Sequence, residues 1–190
     1  MSPIEDDGIR RCGWANGSEM MRAYHDEEWG VALAGERAMF ERLSLEAFQA
    51  GLSWATILRK RPAFREAFRE FDPEYCAGLS DRDVDALMEN EGIIRARAKI
   101  EATRSNAAAA IKLRDEGGLE ALIASFAPDR QPAPERQSDV PASSEESAAL
   151  AKELHRRGFK FVGPTNMFAL MEATGLVNTH LVSCFRRDQV

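Results

Sequence analysis

Along most of the chain apolar residues recur every three or four positions, and strict alternation is nearly absent. In residues 36–50, ERAMFERLSLEAFQA, Met39, Phe40, Leu43, Ala47 and Ala50 fall on one face of a 3.6-residue period, which predicts a helix. Gly51 ends it. A second apolar stretch, Leu52 to Leu58, runs into the basic Arg59-Lys60-Arg61, and Pro62 suits the first turn of a separate helix, PAFREAFREF. Asp72-Pro73 marks a turn. Ser80, with Asp83 three residues on, has the form of a capping box for DRDVDALMENE. That helix stops at Gly92, and the next begins near Arg95 and runs to about Arg114, so Gly-Ile-Ile joins the two as a tight helix–hairpin–helix. Gly117-Gly118 end the second member and LEALIASF follows as a short helix. Residues 127–144, rich in Pro, Ser and charge, read as a surface loop. Ser143 with Glu146 predicts another capping box, for SAALAKELHRR, which Gly158 closes. FKFVGP is a brief extended link before a last helical stretch over 165–184, broken near Gly175. The expected fold is all-α.

Composition changes this picture little. With 190 residues, 44% hydrophobic and 29% charged, the chain can bury one sizeable core. No apolar run approaches the ~20 residues of a membrane span, so no membrane partner is expected. The N-terminal MSPIEDDGIRRCGW has no apolar signal region, and three cysteines suit a reducing compartment, so the expected location is cytoplasmic. The net charge of −6 argues against nucleic acid when taken whole. Its distribution argues otherwise. Residues 1–46 hold ten acids against five bases, whereas 95–114 hold six bases against Glu101 alone. Lys152, Arg156, Arg157 and Lys160 add a second basic group. Local field governs phosphate contacts; charge by itself still favours solvated helix faces.

The cysteines and histidines can be weighed singly. His180 and Cys184 lie four apart in HLVSC, so on a helix both face the same way and form a zinc half-site. Cys12 and His25 are available for the other half. A closed Cys₂His₂ site would be structural, because no position remains for substrate, and one ion would staple both ends of the chain. Four unrelated buried side chains would read the same in sequence. Cys76 and His155 have no partner in the pattern.

Between Arg42 and Arg59 stand sixteen residues whose single charge is Glu46. A carboxylate in such surroundings is costly without a partner, and burial would raise its pKa. It either reaches solvent or serves a ligand. Trp14, Trp29 and Trp54 all precede residue 55, and Tyr24 adjoins His25. Such rings are core, or they wall a pocket for a flat heterocycle. Leu52, between Gly51 and Ser53 at a helix break, is placed to project as an apolar wedge.

Taken in order, RCGW (11–14), YHDEEWGV (24–31), LEAFQAGLSW (45–54), ILRKR (57–61), FDP (71–73), GIIRARAKIEA (92–102), ASFAP (124–128), RRGFKFVGPT (156–165) and GLVNTH…C (175–184) resemble the DNA-3-methyladenine glycosylase I family. The resemblance implies a helix–hairpin–helix glycosylase fold, a single domain over 1–190. Its zinc-stapled N- and C-terminal lobe would wrap a central lobe at about 55–125. It implies one structural zinc on Cys12, His25, His180 and Cys184. Glu46 would serve as the catalytic carboxylate of a base pocket, with Tyr24 and Trp54 against the base and Trp14 nearby. Leu52, Gly92, Arg95, Arg97 and Lys99 would meet the DNA.

The implied activity is monofunctional hydrolysis of N3-methyladenine flipped from alkylated double-stranded DNA, by a monomer. No acid or lysine after the hairpin offers itself as water activator or lyase nucleophile. Thr179 stands where the family has Asp, Glu172 where it has Gln, and Met21 where some members have Tyr. Asn166, Met167 and Phe168 replace small residues and a tyrosine. These departures bear on substrate range. The alternatives are a non-catalytic zinc-stapled DNA-binding module, or a glycosylase of this fold with shifted lesion specificity.

Overall fold

The computed structural model describes residues 7–190; the first six residues of the segment read above as lacking a signal lie outside the described residues. Among the described residues there are nine α-helices and no strand, as the spacing predicts. They are α1 (Glu19–Glu27), α2 (Glu36–Gln49), α3 (Trp54–Ala67), α4 (Pro73–Ala77), α5 (Asp81–Glu89), α6 (Arg97–Lys112), α7 (Gly118–Ala124), α8 (Glu145–Arg156) and α9 (Pro164–Ala173). Among the described residues no helix is long and apolar enough to cross a membrane.

Helix α2 is the centre of the molecule. From Leu43 through Phe48 every residue is buried, Ser44 and Glu46 included, so this half of the helix has no solvent face and must be covered on all sides. Helices α3, α6, α7 and α9 cover it. Phe48 meets Phe64 at 4.6 Å between ring centroids, and Phe68 and Phe71 continue the row at 5.3 Å.

Pro62 does not open a new helix, as the sequence suggests. It lies inside α3, which Ser53 caps by accepting from the Thr56 N–H. Proline within a helix costs about 3 kcal/mol. Ile57, Leu58 and Phe64 are nevertheless buried on both sides of it, and each is worth roughly 1.5–3 kcal/mol, so the continuous apolar face outweighs the break.

The Ser80–Asp83 capping box opens α5 as expected. The seven residues from Asn90 to Ala96 join it to α6, and the turn leans on α3. The Lys60 ammonium donates to the carbonyls of Glu91 (2.8 Å) and Gly92 (3.1 Å). A Cβ on Gly92 would stand 2.8 Å from the Ala63 Cβ, so only glycine lets the turn approach this closely.

Two boundaries differ from expectation. Helix α8 is capped by Ser144, whose reciprocal partner is Ser147; the Ser143–Glu146 pair is one residue early. The break expected near Gly175 is present, but the chain beyond it to 184 is not helical. Helix α9 ends at Ala173, where Gly175 takes a φ of +73°. The N–H groups of Leu176 and Gly175 bond back to Met171 and Glu172, a Schellman closure. Beyond it the chain is irregular and pinned by side chains. Asn178 accepts from the His180 N–H, and Arg187 donates to the carbonyls of His180 and Pro132. A Cβ on Gly175 would lie 2.4 Å from the Gly30 carbonyl oxygen, so the two end segments touch backbone to backbone.

Candidate functional site

Cys12, His25, His180 and Cys184 converge, all buried, with their donor atoms within 4.8 Å of one another. His180 and Cys184 do so from a turn rather than from the helix expected of HLVSC; the Cys184 N–H bonds to the Leu181 carbonyl at 2.8 Å. Cys184 Sγ lies 3.4 Å from both His25 Nε2 and His180 Nδ1, and Cys12 Sγ lies 3.7 Å from His180 Nδ1. The neighbouring Cys12 thiol first, then His180 and His25, hold the Cys184 thiol far below its usual range, while Cys184 and burial push Cys12 up. The Nδ1 of His25 meets Asp26 at 2.8 Å, and Asp26 in turn accepts from Arg11 at 2.9 Å. This chain fixes the imidazole so that Nε2 faces the cluster. The group can hold a metal ion.

Beside it, sharing the aromatic cluster that contains Cys12 and Cys184, opens a cavity of about 400 Å³. Trp14, Tyr24, Trp54 and Glu46 all line it. So does Arg42, which composition did not single out; its position four residues before Glu46 on one helix was the available signal. Arg42 donates twice to Glu46 Oε1, at 3.0 and 2.7 Å. Its guanidinium lies over the Trp54 ring at 4.0 Å and over the Tyr24 ring at 5.3 Å. Burial pushes the Glu46 pKa up and Arg42 partly offsets it. Among the described residues, three buried polar atoms of the lining have no hydrogen-bond partner: Glu46 Oε2, the Tyr24 hydroxyl and Trp54 Nε1. Leaving such groups unpaired is costly, so the cavity is built for something with matching polar edges.

The loop 127–144 is more than a surface connection. Gln137, Val140, Pro141 and Ala142 form one wall of the cavity. Several family departures gather here too. Met21, Phe168 and Glu172 line the cavity, and the Asn166 amide donates to the Glu46 carbonyl at 3.4 Å. Glu172 and Thr179 face each other, the Thr179 hydroxyl donating to the carboxylate at 2.5 Å.

The residues expected to meet DNA lie together near the α5–α6 turn and the α2–α3 turn. Leu52 is exposed. Arg95 pairs with Glu91, and Arg97 with Asp85 and Glu101. Lys99 turns back onto the end of α2, where its ammonium donates to the carbonyls of Phe48 (2.8 Å) and Ala50 (2.6 Å).

Comparison with known proteins gives a consistent picture. The family model for methyladenine glycosylase matches residues 14–187. The DNA-3-methyladenine glycosylase 1 of Escherichia coli (strain K12) is 42% identical over 180 residues, 93% of this chain and 96% of that protein. A crystal structure of 3-methyladenine DNA glycosylase I, also 42% identical, superposes with a TM-score of 0.89 over 93% of this chain and 98% of that one. A variant of 3-methyladenine DNA glycosylase I in complex with 3-methyladenine, 34% identical, gives 0.88 over 94% and 98%.

Proposed function

The chain belongs to the methyladenine glycosylase family, and from that premise we propose that it hydrolyses the N-glycosidic bond of N3-methyladenine in alkylated DNA, as a base-excision-repair glycosylase. The observation that carries this reading is Glu46 Oε2: a buried carboxylate oxygen without a partner, in a cavity walled by Tyr24, Trp54 and Trp14.

The target base is flipped from the duplex into the cavity, which costs a few kcal/mol and least at a damaged base. Glu46 Oε2 accepts a hydrogen bond from the base edge while Oε1 stays on Arg42. A carboxylate acceptor stabilises the cationic form of the base, and the electron-rich rings of Tyr24 and Trp54 add to this. The methylated adenine is then a good leaving group, departing as the sugar takes on oxocarbenium character and water attacks. No step passes through an enzyme amine. Lys60 and Lys99, the lysines nearest the hairpin, are both spent on backbone carbonyls, which supports a monofunctional hydrolase.

Read as a helix–hairpin–helix, α5, α6 and their turn present Gly92, Arg95 and Arg97 to phosphates, with Lys99 bracing the turn against α2 and keeping one N–H for the backbone. The surface ion pairs of Arg95 and Arg97 are worth little, so phosphate displaces their carboxylates cheaply. Leu52 fills the gap left by the flipped base. We read 1–190 as one domain, its terminal segments wrapped around a central lobe at about 55–125, acting as a cytoplasmic monomer on double-stranded DNA.

Zinc suits the Cys₂His₂ group: Zn–S near 2.3 Å and Zn–N near 2.05 Å put sulfur and nitrogen about 3.5 Å apart in a tetrahedron, against 3.4 to 3.7 Å here. With four protein ligands it is structural. Its role is to hold the end segments, and with them Trp14 and Tyr24, in place.

A binding module without catalysis would need no buried carboxylate. The test is release of free bases from methylated duplex DNA, resolved by chromatography. The protein releases 3-methyladenine with little 7-methylguanine. Glu46→Gln binds the DNA as before but releases base roughly 10- to 100-fold more slowly, the worth of one hydrogen bond to a charged group. Unchanged release by Glu46→Gln would remove Glu46 from the reaction.

A further inference from the structure

Among the described residues Glu46 is one of two carboxylates on the cavity wall. Its Oε1 is committed to Arg42, so the pair as a whole carries no net charge, and Arg42 itself is a buried positive charge against the Tyr24 and Trp54 rings. A cationic ring entering this space meets Arg42 as a like charge. Aromatic faces already occupied by a guanidinium compensate it less than free ones. The cavity therefore needs a negative charge not already spoken for.

Glu172 of α9 supplies one. It lines the same cavity and is largely buried, and among the described residues no basic side chain forms an ion pair with it. Its one hydrogen bond is from the neutral Thr179 hydroxyl, which orients the carboxylate without cancelling it. The charges that act on it are both on α2: Glu46, which disfavours its ionisation, and Arg42, which favours it. Helix α8, also packed on α9, buries Ser147, Leu150, Ala151 and Leu154 and no titratable group. Burial, with Glu46, holds a proton on Glu172 up to about pH 7; above that pH it is an oriented carboxylate without a counter-ion, facing a cavity, and so a receptor for a cation.

We propose that Glu172 is a specificity residue, the counter-charge through which this pocket prefers positively charged N-alkylated purines to neutral ones. The proposal rests on the pocket reading given above. It divides the work between two carboxylates, Glu46 hydrogen-bonding the base edge and Glu172 answering its charge.

Two ligands separate charge from shape: 3,9-dimethyladeninium, a permanent cation whose N9-methyl stands for the sugar, and 3-methyladenine, the neutral free base. Their dissociation constants are measured at pH 8 by calorimetry with the intact protein, with Glu172→Gln and with Glu172→Asp. Gln keeps the volume and can still accept from Thr179. The ratio of cation to neutral affinity falls about tenfold in Glu172→Gln, as expected for loss of one close charge pair, and is largely kept in Glu172→Asp. A ratio unchanged in Glu172→Gln, or an equal loss for both ligands, overturns the proposal. Failure of the unmutated protein to bind either ligand overturns the pocket reading itself, and this inference with it.

Discussion

Glu172 carries a consequence for stability as well as for recognition. Burial is the main force that lifts its pKa from 4.5 to about 7, against the Thr179 hydrogen bond. The folded protein thus holds this proton more tightly than the unfolded chain does. The stabilisation is complete below pH 4.5 and is lost as pH rises through about 7. Replacing Glu172 by Gln removes the ionisable group. At pH 8 the variant is expected to be more stable, by on the order of 3 kcal/mol at most, and at pH 4 the two proteins should melt together. Thermal melts at both pH values decide it, and a gain independent of pH would mean that packing, not charge, is responsible. A residue that weakens the fold where the enzyme works is the usual mark of a functional group.

At the scale of elements, the α5–α6 turn depends on its approach to α3. Gly92→Ala puts a Cβ 2.8 Å from that of Ala63 and 3.0 Å from Asn90 Oδ1, an overlap expected to cost about 1–3 kcal/mol. Ala63→Gly alone costs about 1 kcal/mol of helix propensity. Combined, they should be more stable than the sum of the two, because the second makes room for the first. Denaturant unfolding of the four proteins gives the coupling, and strict additivity would show that the turn does not rest there. Elements were legible where their signal was local. The Ser80–Asp83 box and the α2 period needed no tertiary information. Pro62 misled because a local rule met a burial pattern worth more than the rule. The break near Gly175 was legible from the glycine itself; what misled was the stretch beyond it, 176–184, which is irregular and held by side-chain hydrogen bonds that no local pattern reveals. Glu46 was legible as a candidate from its isolation in apolar sequence; Tyr24 and Trp54 read equally as core until the resemblance singled them out. The 137–142 wall was not, since polar loop composition says nothing about what the loop leans on.

For the whole molecule, the Cys/His group and the cavity are one construction. Cys12 and Cys184 share a cluster with Tyr24 and Trp29, and Trp14 and Trp54 pack against it. A chelator that removes a structural ion should therefore act on the fold first. Losing about 3 kcal/mol lowers the melting temperature by roughly 6–12 °C in a domain of this size, while base release at temperatures still below the new midpoint continues. Loss of release with an unchanged melting temperature would place the ion in the chemistry instead.

The distance along the chain between the two halves of that group also sets a timetable. His25 and Cys184 are 159 residues apart, and at 5–20 residues per second a ribosome needs roughly 8–30 s to make the second after the first. During that interval Cys12 and His25 are a bare pair of donors, Gly30 has no Gly175 to rest on, and the nascent aromatic segment has no closed wall. A polypeptide abandoned before its last turn lacks Cys184, and the end-to-end group is left with three of its four donors.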